Sequence, residues 1–265
     1  MSDTVQRDLR ETSSPAPRRS AFARVVRGIG WTSIGLGLFL LGFLVHQLFI
    51  TTFFAQRANT VLETQAVEYF EEAEIVQVPY TPTDTVDPSE SGDSVDLGGP
   101  EGPEQPAGGP DEPAFIFVEG QPDRGQAFAI LTIPKIDKLR DGWTIVEGVA
   151  RSQLKTGAGH YPATPLPGQP GNASIAGHRT TYGAPFYDLD VLEAGDTIEV
   201  ETALGVSIYE VRENRIVKPT EIWVTQDRPG AWLTLTTCHP RLSSSQRLVI
   251  FAEMVSGPNY ETIYG

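Results

Sequence analysis

Between Arg27 and Arg57 the chain runs for 29 residues, GIGWTSIGLGLFLLGFLVHQLFITTFFAQ, without a charged side chain. A hydrocarbon core is crossed by about 20 apolar residues in helical form, so residues 28–56 are expected to span a membrane once. Arg7, Arg10, Arg18, Arg19, Arg24 and Arg27 precede the run and an acidic stretch follows it, an asymmetry that places residues 1–27 in the cytoplasm and the rest outside. A cleaved signal peptide is the rival reading. Its apolar region is about 7–15 residues long and ends in a small-x-small site, whereas this run is longer and leaves through FFAQRA. The reading is therefore of a retained anchor. His46 lies near one end of this lone helix, where an imidazole is more often tolerated than functional.

The charge is distributed unevenly beyond the anchor. Residues 58–123 hold 16 Asp and Glu and no Lys or Arg, whereas residues 124–265 hold 15 against 13. The net charge of −14 thus belongs to the middle of the chain, and nothing resembles the basic footprint of a nucleic-acid-binding protein. Within 57–78 there is no Pro or Gly, and Leu62, Ala66, Tyr69 and Phe70 recur at three- and four-residue spacing, which predicts a juxtamembrane helix. Residues 79–113 turn to Pro, Gly, Ser, Asp and Glu, too poor in apolar surface to offset the entropy of ordering. They are expected to form an acidic tether between membrane and domain.

From residue 114 short β-type runs alternate with turn residues: 128–136, 143–149, 172–178, 196–202, 206–217, 232–238 and 247–254. Their spacing suits antiparallel connections and predicts an all-β barrel or sandwich of about 140 residues over 114–257, followed by a tail at 258–265.

One cysteine, Cys238, and four histidines occur in the whole chain, so neither a disulfide framework nor a cysteine-rich zinc site is available. WLTLTTC reads as a strand ended by Pro240, with the next strand beginning near Arg247. Cys238 and Arg247 then share the open end of a hairpin, and a part-exposed thiol beside a guanidinium has the surroundings of a reactive cysteine rather than an inert one. Of the possible proton carriers, His239 points to the opposite face of an extended strand. His160 lies in the Gly- and Pro-rich run TGAGHYPATPLPGQPG and reads as an exposed loop histidine, while His178 ends the strand-like NASIAGH. Geometry alone prefers His178 and leaves His160 open. Asn172-Ala173-Ser174 fits a glycosylation acceptor, a pattern short enough to arise by chance.

TLTTC is similar to the TLxTC signature of sortases, the membrane-anchored cysteine transpeptidases of Gram-positive bacteria. GNASIAGHRTTYGAPF resembles the region that bears the family's histidine, and RLVIFAEM resembles the strand that bears its arginine. The order His, Cys, Arg and the intervals of 60 and 9 residues fit as well. TCHPR and GHYPATPLPGQPGNASIAGHRT are most like the actinobacterial class E group, with class D next. The resemblance, which covers residues 126–256, implies an eight-stranded barrel with short helices and a catalytic set of Cys238, His178 and Arg247, with Thr237 in a weaker assisting role. It also implies cleavage of an LAxTG- or LPxTG-like C-terminal sorting signal between Thr and Gly, through a thioacyl intermediate. The acyl group passes to an amine of a cell-wall precursor or a pilin.

No cofactor is implied: no His, Cys and carboxylate cluster has metal-ligand spacing in the folded part, and no Gly-rich turn suggests a nucleotide. Glu193, Asp196 and Asp227 are the loop carboxylates from which a calcium site, known in some sortases, would have to come. The acidic segment carries no clear lid motif, which favours surface-protein anchoring over pilin polymerisation. The competing readings are a cysteine hydrolase or another cell-wall transpeptidase, and a non-catalytic surface module.

Overall fold

The computed structural model describes residues 21–46, 51–81 and 114–265. Residues 1–20 of the basic N-terminus and 82–113 of the acidic stretch lie outside the described residues. The chain divides into two compact units, Met1–His46 and Gln47–Gly265. In the first, α1 (Ala21–Val45) is long and apolar enough over Phe22–Val45 to cross a membrane, with its large apolar side chains exposed. The expected span over 28–56 includes residues 47–50, which lie outside the described residues. Residues from Thr51 onward start α2 (Thr51–Glu72), which belongs to the second unit.

α2 lies on the barrel through a small-residue stripe. Ala66 is fully buried against Ala127 and Val146, with Leu62 and Phe70 alongside. Asn59 accepts the Thr144 amide at 2.9 Å. The helix stops six residues earlier than the periodicity predicts, because Ile75, Val76 and Val78 are β-branched and enter a strand. That strand, β1 (Ile75–Tyr80), pairs antiparallel with β2 (Ala114–Glu119), Tyr80 opposite Ala114. The acidic stretch is therefore a connection between two paired strands of the barrel unit. A tether between membrane and domain is the wrong description of it.

The barrel strands are β3 (Ala127–Thr132), β4 (Trp143–Glu147), β5 (Ala158–His160), β6 (Gly171–Ala176), β7 (Thr197–Thr202), β8 (Gly205–Val217), β9 (Ala231–His239) and β10 (Gln246–Ser256). They close in the order β10-β8-β7-β3-β4-β5-β6-β9, the expected eight-stranded barrel. Two of its seams, β4 with β5 and β6 with β9, are parallel, and the other six are antiparallel, the kind of connection the spacings suit. Short helices α3 (Arg151–Leu154) and α4 (Tyr260–Tyr264) accompany it.

Phe128, Leu131, Ile145, Ile175, Val200, Tyr209, Leu233, Leu235 and Ile250 fill the interior. The outer faces of β6 and β9 are covered too. Asn172 is fully buried, donating to the carbonyls of Val224 and Gln226 at 3.1 and 2.9 Å and accepting from Thr234 at 2.6 Å. It is a structural bridge and no glycan acceptor. Residues 258–265 are likewise no loose tail, since Asn259 hydrogen-bonds both backbone groups of Phe117 and Ile263 is buried.

Candidate active site

Cys238 is the penultimate residue of β9 and half-buried. In the β9–β10 register it stands opposite Arg247, because the connecting loop returns the chain directly to the neighbouring strand. β6 lies on the other side of β9, in parallel, and its ladder ends at Ala176 opposite Thr236. Parallel pairing brings the C-terminal ends of both strands to one rim, so His178, two residues beyond β6, arrives beside Cys238. Cys238, His178, Arg247 and Thr237 line one cavity of about 190 Å³, together with Val149, Leu154 and Tyr161.

Backbone and side chain both hold the rim beyond the ladder. Gly177 donates its amide to the Thr236 carbonyl at 3.0 Å, and the buried Thr237 hydroxyl donates to the Gly177 carbonyl at 2.8 Å. Thr237 thus spends its hydroxyl on the His178 segment. Gly177 has no room for a side chain: a Cβ there would lie 2.5 Å from the Phe186 ring.

His178 is half-buried, and its Nε2 is shut off from solvent without a hydrogen-bond partner among the described residues. Burial lowers the imidazole's pKa from its usual 6.5, favouring the neutral ring. The Tyr182 ring packs on it with centroids 5.0 Å apart. Tyr182 and Ala184 both hold positive φ, at 51° and 44°, a backbone cost that Lys138 offsets by donating to the carbonyls of Gly183 and Ala184 at 2.7 and 3.2 Å.

Arg247 donates through Nη1 to the carbonyls of Ser244 and Gln246, at 3.0 and 2.9 Å. Nε and Nη2 remain for another acceptor among the described residues. Its side chain also lines a second cavity of about 170 Å³, walled by Tyr161, Val217, Ile222, Val224 and Thr236, so the guanidinium stands between two adjoining hollows.

The remaining histidines separate clearly. His160 is no exposed loop residue: it is fully buried in β5, with Nδ1 at 2.7 Å from a Glu147 carboxylate oxygen and Nε2 at 2.9 Å from the Pro165 carbonyl. A carbonyl only accepts, so Nε2 carries a proton and the Nδ1–carboxylate contact shares another. His239 is turned away from the sulfur and accepts at Nδ1 from Arg179 at 2.9 Å. Arg179, missed in the sequence, is 2% exposed. A lone arginine beside a histidine carries no sign of burial when its partners lie up to 60 residues away. Of the loop carboxylates, Glu193 and Asp196 face Lys135 at 3.5 and 2.7 Å, a cation built into the protein, and Asp227 stands apart from them, accepting the Arg228 amide.

A family model described as a sortase domain matches residues 131–255. Over 152 residues the chain is 34% identical to sortase SrtE1 of Streptomyces coelicolor, a match covering 51% of this chain and 42% of that protein. Over 146 residues it is 33% identical to sortase D of Bacillus subtilis, covering 55% and 66% respectively. The matches thus span less than two-thirds of either relative. The solved structure of sortase E from Streptomyces avermitilis is 34% identical over 50% of this chain and 90% of its own, with a TM-score of 0.47. The cavity bearing Cys238 is built from strands inside the matched segment, so it lies in the part of the chain, residues 131–255, that matches a sortase domain.

Proposed function

We propose that this protein is a membrane-anchored, extracytoplasmic class E sortase that cleaves an LAxTG- or LPxTG-like C-terminal sorting signal between Thr and Gly and passes the threonyl group to an amine of a cell-wall precursor. The observation that carries the reading is the convergence of Cys238, His178 and Arg247 on one cavity. SrtE1 standing among the similar proteins supports the class, and α1 after a run of arginines supports the anchor.

The Cys238 thiolate attacks the threonine carbonyl carbon and forms a tetrahedral intermediate. As that collapses, the carbon–nitrogen bond breaks and His178, as imidazolium, gives its proton to the departing glycine amine. A thioester to Cys238 remains. The incoming amine loses its proton to neutral His178, attacks the thioester carbonyl and expels the thiolate. His178 lines the same cavity as Cys238, which supports its part in both transfers. Burial makes imidazolium the minor form, so only a fraction of the enzyme is poised at a given moment. Arg247, with Nη1 already fixed on its own loop, offers Nε and Nη2 to the developing oxyanion or the substrate backbone, where a fixed donor is worth about 10²–10³ in rate.

Incubation of the purified chain with a sorting peptide and an amine should yield a ligated product that disappears in Cys238→Ala. Product formation by that variant would end the proposal, and release of free acid alone would point to a hydrolase.

A further inference from the structure

The ends of β6 and β9 carry two dipeptides, His178-Arg179 and Cys238-His239. Their first members line the cavity, and their second members meet each other outside its lining. Arg179 donates through Nη1 to His239 Nδ1 at 2.9 Å and to the Cys238 carbonyl at 3.4 Å. Its Nη2 pairs with Asp190 at 2.9 Å, and its Nε donates to the Tyr187 carbonyl at 3.4 Å. One buried, planar fork therefore joins three separate segments: the residue after His178, the end of β9, and the 187–190 turn. An arginine donates only, so His239 Nδ1 is the acceptor and the ring proton sits on Nε2.

Fixation is needed here. The β6–β9 ladder ends at Ala176 and Thr236, two residues before His178 and Cys238, so strand pairing does not set the distance between them. The Gly177 and Thr237 hydrogen bonds act on the residues before the pair, and Arg179 acts on the residues after it. Transfer chemistry is sensitive to placement on the scale of 1 Å, which can cost about a hundredfold.

We propose that Arg179 and His239 form a clamp behind the site that holds His178 and Cys238 in register, making Arg179 a positioning residue for transpeptidation. The inference rests on the sortase reading above. A lysine at 179 keeps the charge for Asp190 but has no fork with which to hold Cys238 and His239 together. Asp190 also keeps Arg241, at 2.9 Å, when Arg179 is changed.

The test is steady-state ligation by the full chain in detergent, with a sorting peptide as donor and an amine as acceptor, for Arg179→Lys, His239→Ala and the double variant, each with its thermal midpoint. Each single variant should lose about tenfold or more in kcat with the donor KM within about twofold. The double variant should be no slower than the slower single, because both changes break the same contact. Unchanged kcat in both singles, losses that multiply in the double, or losses that follow the folded fraction alone would each overturn the clamp. If Arg179→Lys does not fold, His239→Ala at a half-buried side chain decides the matter by the same kcat criterion. A parent chain that ligates no sorting peptide sinks the sortase reading and the clamp with it. A parent that ligates no faster than its variants sinks the clamp alone.

Discussion

The Thr237 hydroxyl donates to the Gly177 carbonyl at 2.8 Å, joining the residue before Cys238 to the residue before His178. The bond crosses a parallel seam where the backbone ladder has just ended, so it extends the β6–β9 pairing by a side chain. Thr237 is 3% exposed, and its hydroxyl is directed at the protein and not the cavity. Its part in the proposed reaction is thereby one of placement.

Thr237→Val keeps the shape and removes the donor, which leaves the Gly177 carbonyl short of its side-chain partner in a buried setting. The expected cost is about 1–3 kcal/mol in stability. Ligation should slow by roughly tenfold with little change in donor KM, while Thr237→Ser stays near the parent. Urea denaturation and steady-state kinetics check both halves, and a Val variant with parental kcat would show that the bond does not place the site.

Gly177→Ala tests the same hinge from the packing side. The added Cβ would meet the Phe186 ring at 2.5 Å, so either the ring or the segment carrying His178 must move. Overpacking of this kind costs about 1–3 kcal/mol. Because Phe186 also donates its amide to the His178 carbonyl at 3.2 Å, the shift should reach the histidine and lower ligation more than the loss of folded protein explains. Adding Phe186→Leu, which vacates part of the ring, should recover some activity. A double variant as slow as Gly177→Ala alone would contradict the steric account.

What the sequence made legible follows from where its signals lie. β9 is readable because apolar and β-branched residues run from Ala231 to Cys238, just short of Pro240, β10 because Leu248 to Ala252 form a second apolar run, and the barrel follows from several such runs. β5 is three residues, Ala158-Gly159-His160, too short and too small for any periodic signal. Its glycine exists because a Cβ there would run into the Gly148 carbonyl, a contact made only in the folded barrel. The same long-range dependence hides the parallel seams, the burial of His160 against Glu147 13 residues earlier, and the clamp at Arg179. The end of α2 was readable in principle: Ile75-Val76-Gln77-Val78 is a strand signal that the helical spacing before it masked. Cys238, His178 and Arg247 could be nominated by local pattern, but the cavity they share is a product of strand order.

The pH behaviour of His178 should depend on Tyr182. Burial is what lowers the imidazole's pKa, and the Tyr182 ring is part of the cover. In a Cys238→Ala background, which removes the thiol from the titration, NMR should place the His178 midpoint below 6.5, and Tyr182→Ala should move it upward toward that value. Because the folded pKa is depressed, His178 takes up its proton less readily in the folded chain, and its contribution to stability is lost as pH falls below 6.5. A midpoint unmoved by Tyr182→Ala would mean that other walls of the cavity supply the desolvation.

Glu119 makes the opposite prediction. It is 5% exposed at the end of β2, with Oε2 accepting the Ala203 amide at 3.1 Å and Oε1 without a partner among the described residues. Burial pushes its carboxyl from 4.5 up to about 7. The folded chain therefore holds a proton on Glu119 that the unfolded chain releases between about 4.5 and 7. The associated stability is complete below 4.5 and declines as pH rises through about 7, by roughly 3 to 4 kcal/mol at about 1.4 kcal/mol per pKa unit. Glu119→Gln is neutral throughout and keeps an oxygen for Ala203. Its stability relative to the parent should be near parity at pH 4 and should climb to a plateau above pH 7, a difference that cancels every other titrating group common to both chains. Urea midpoints at pH steps across that window measure it, and a difference that is flat with pH would show that Glu119 is ionised in the folded protein.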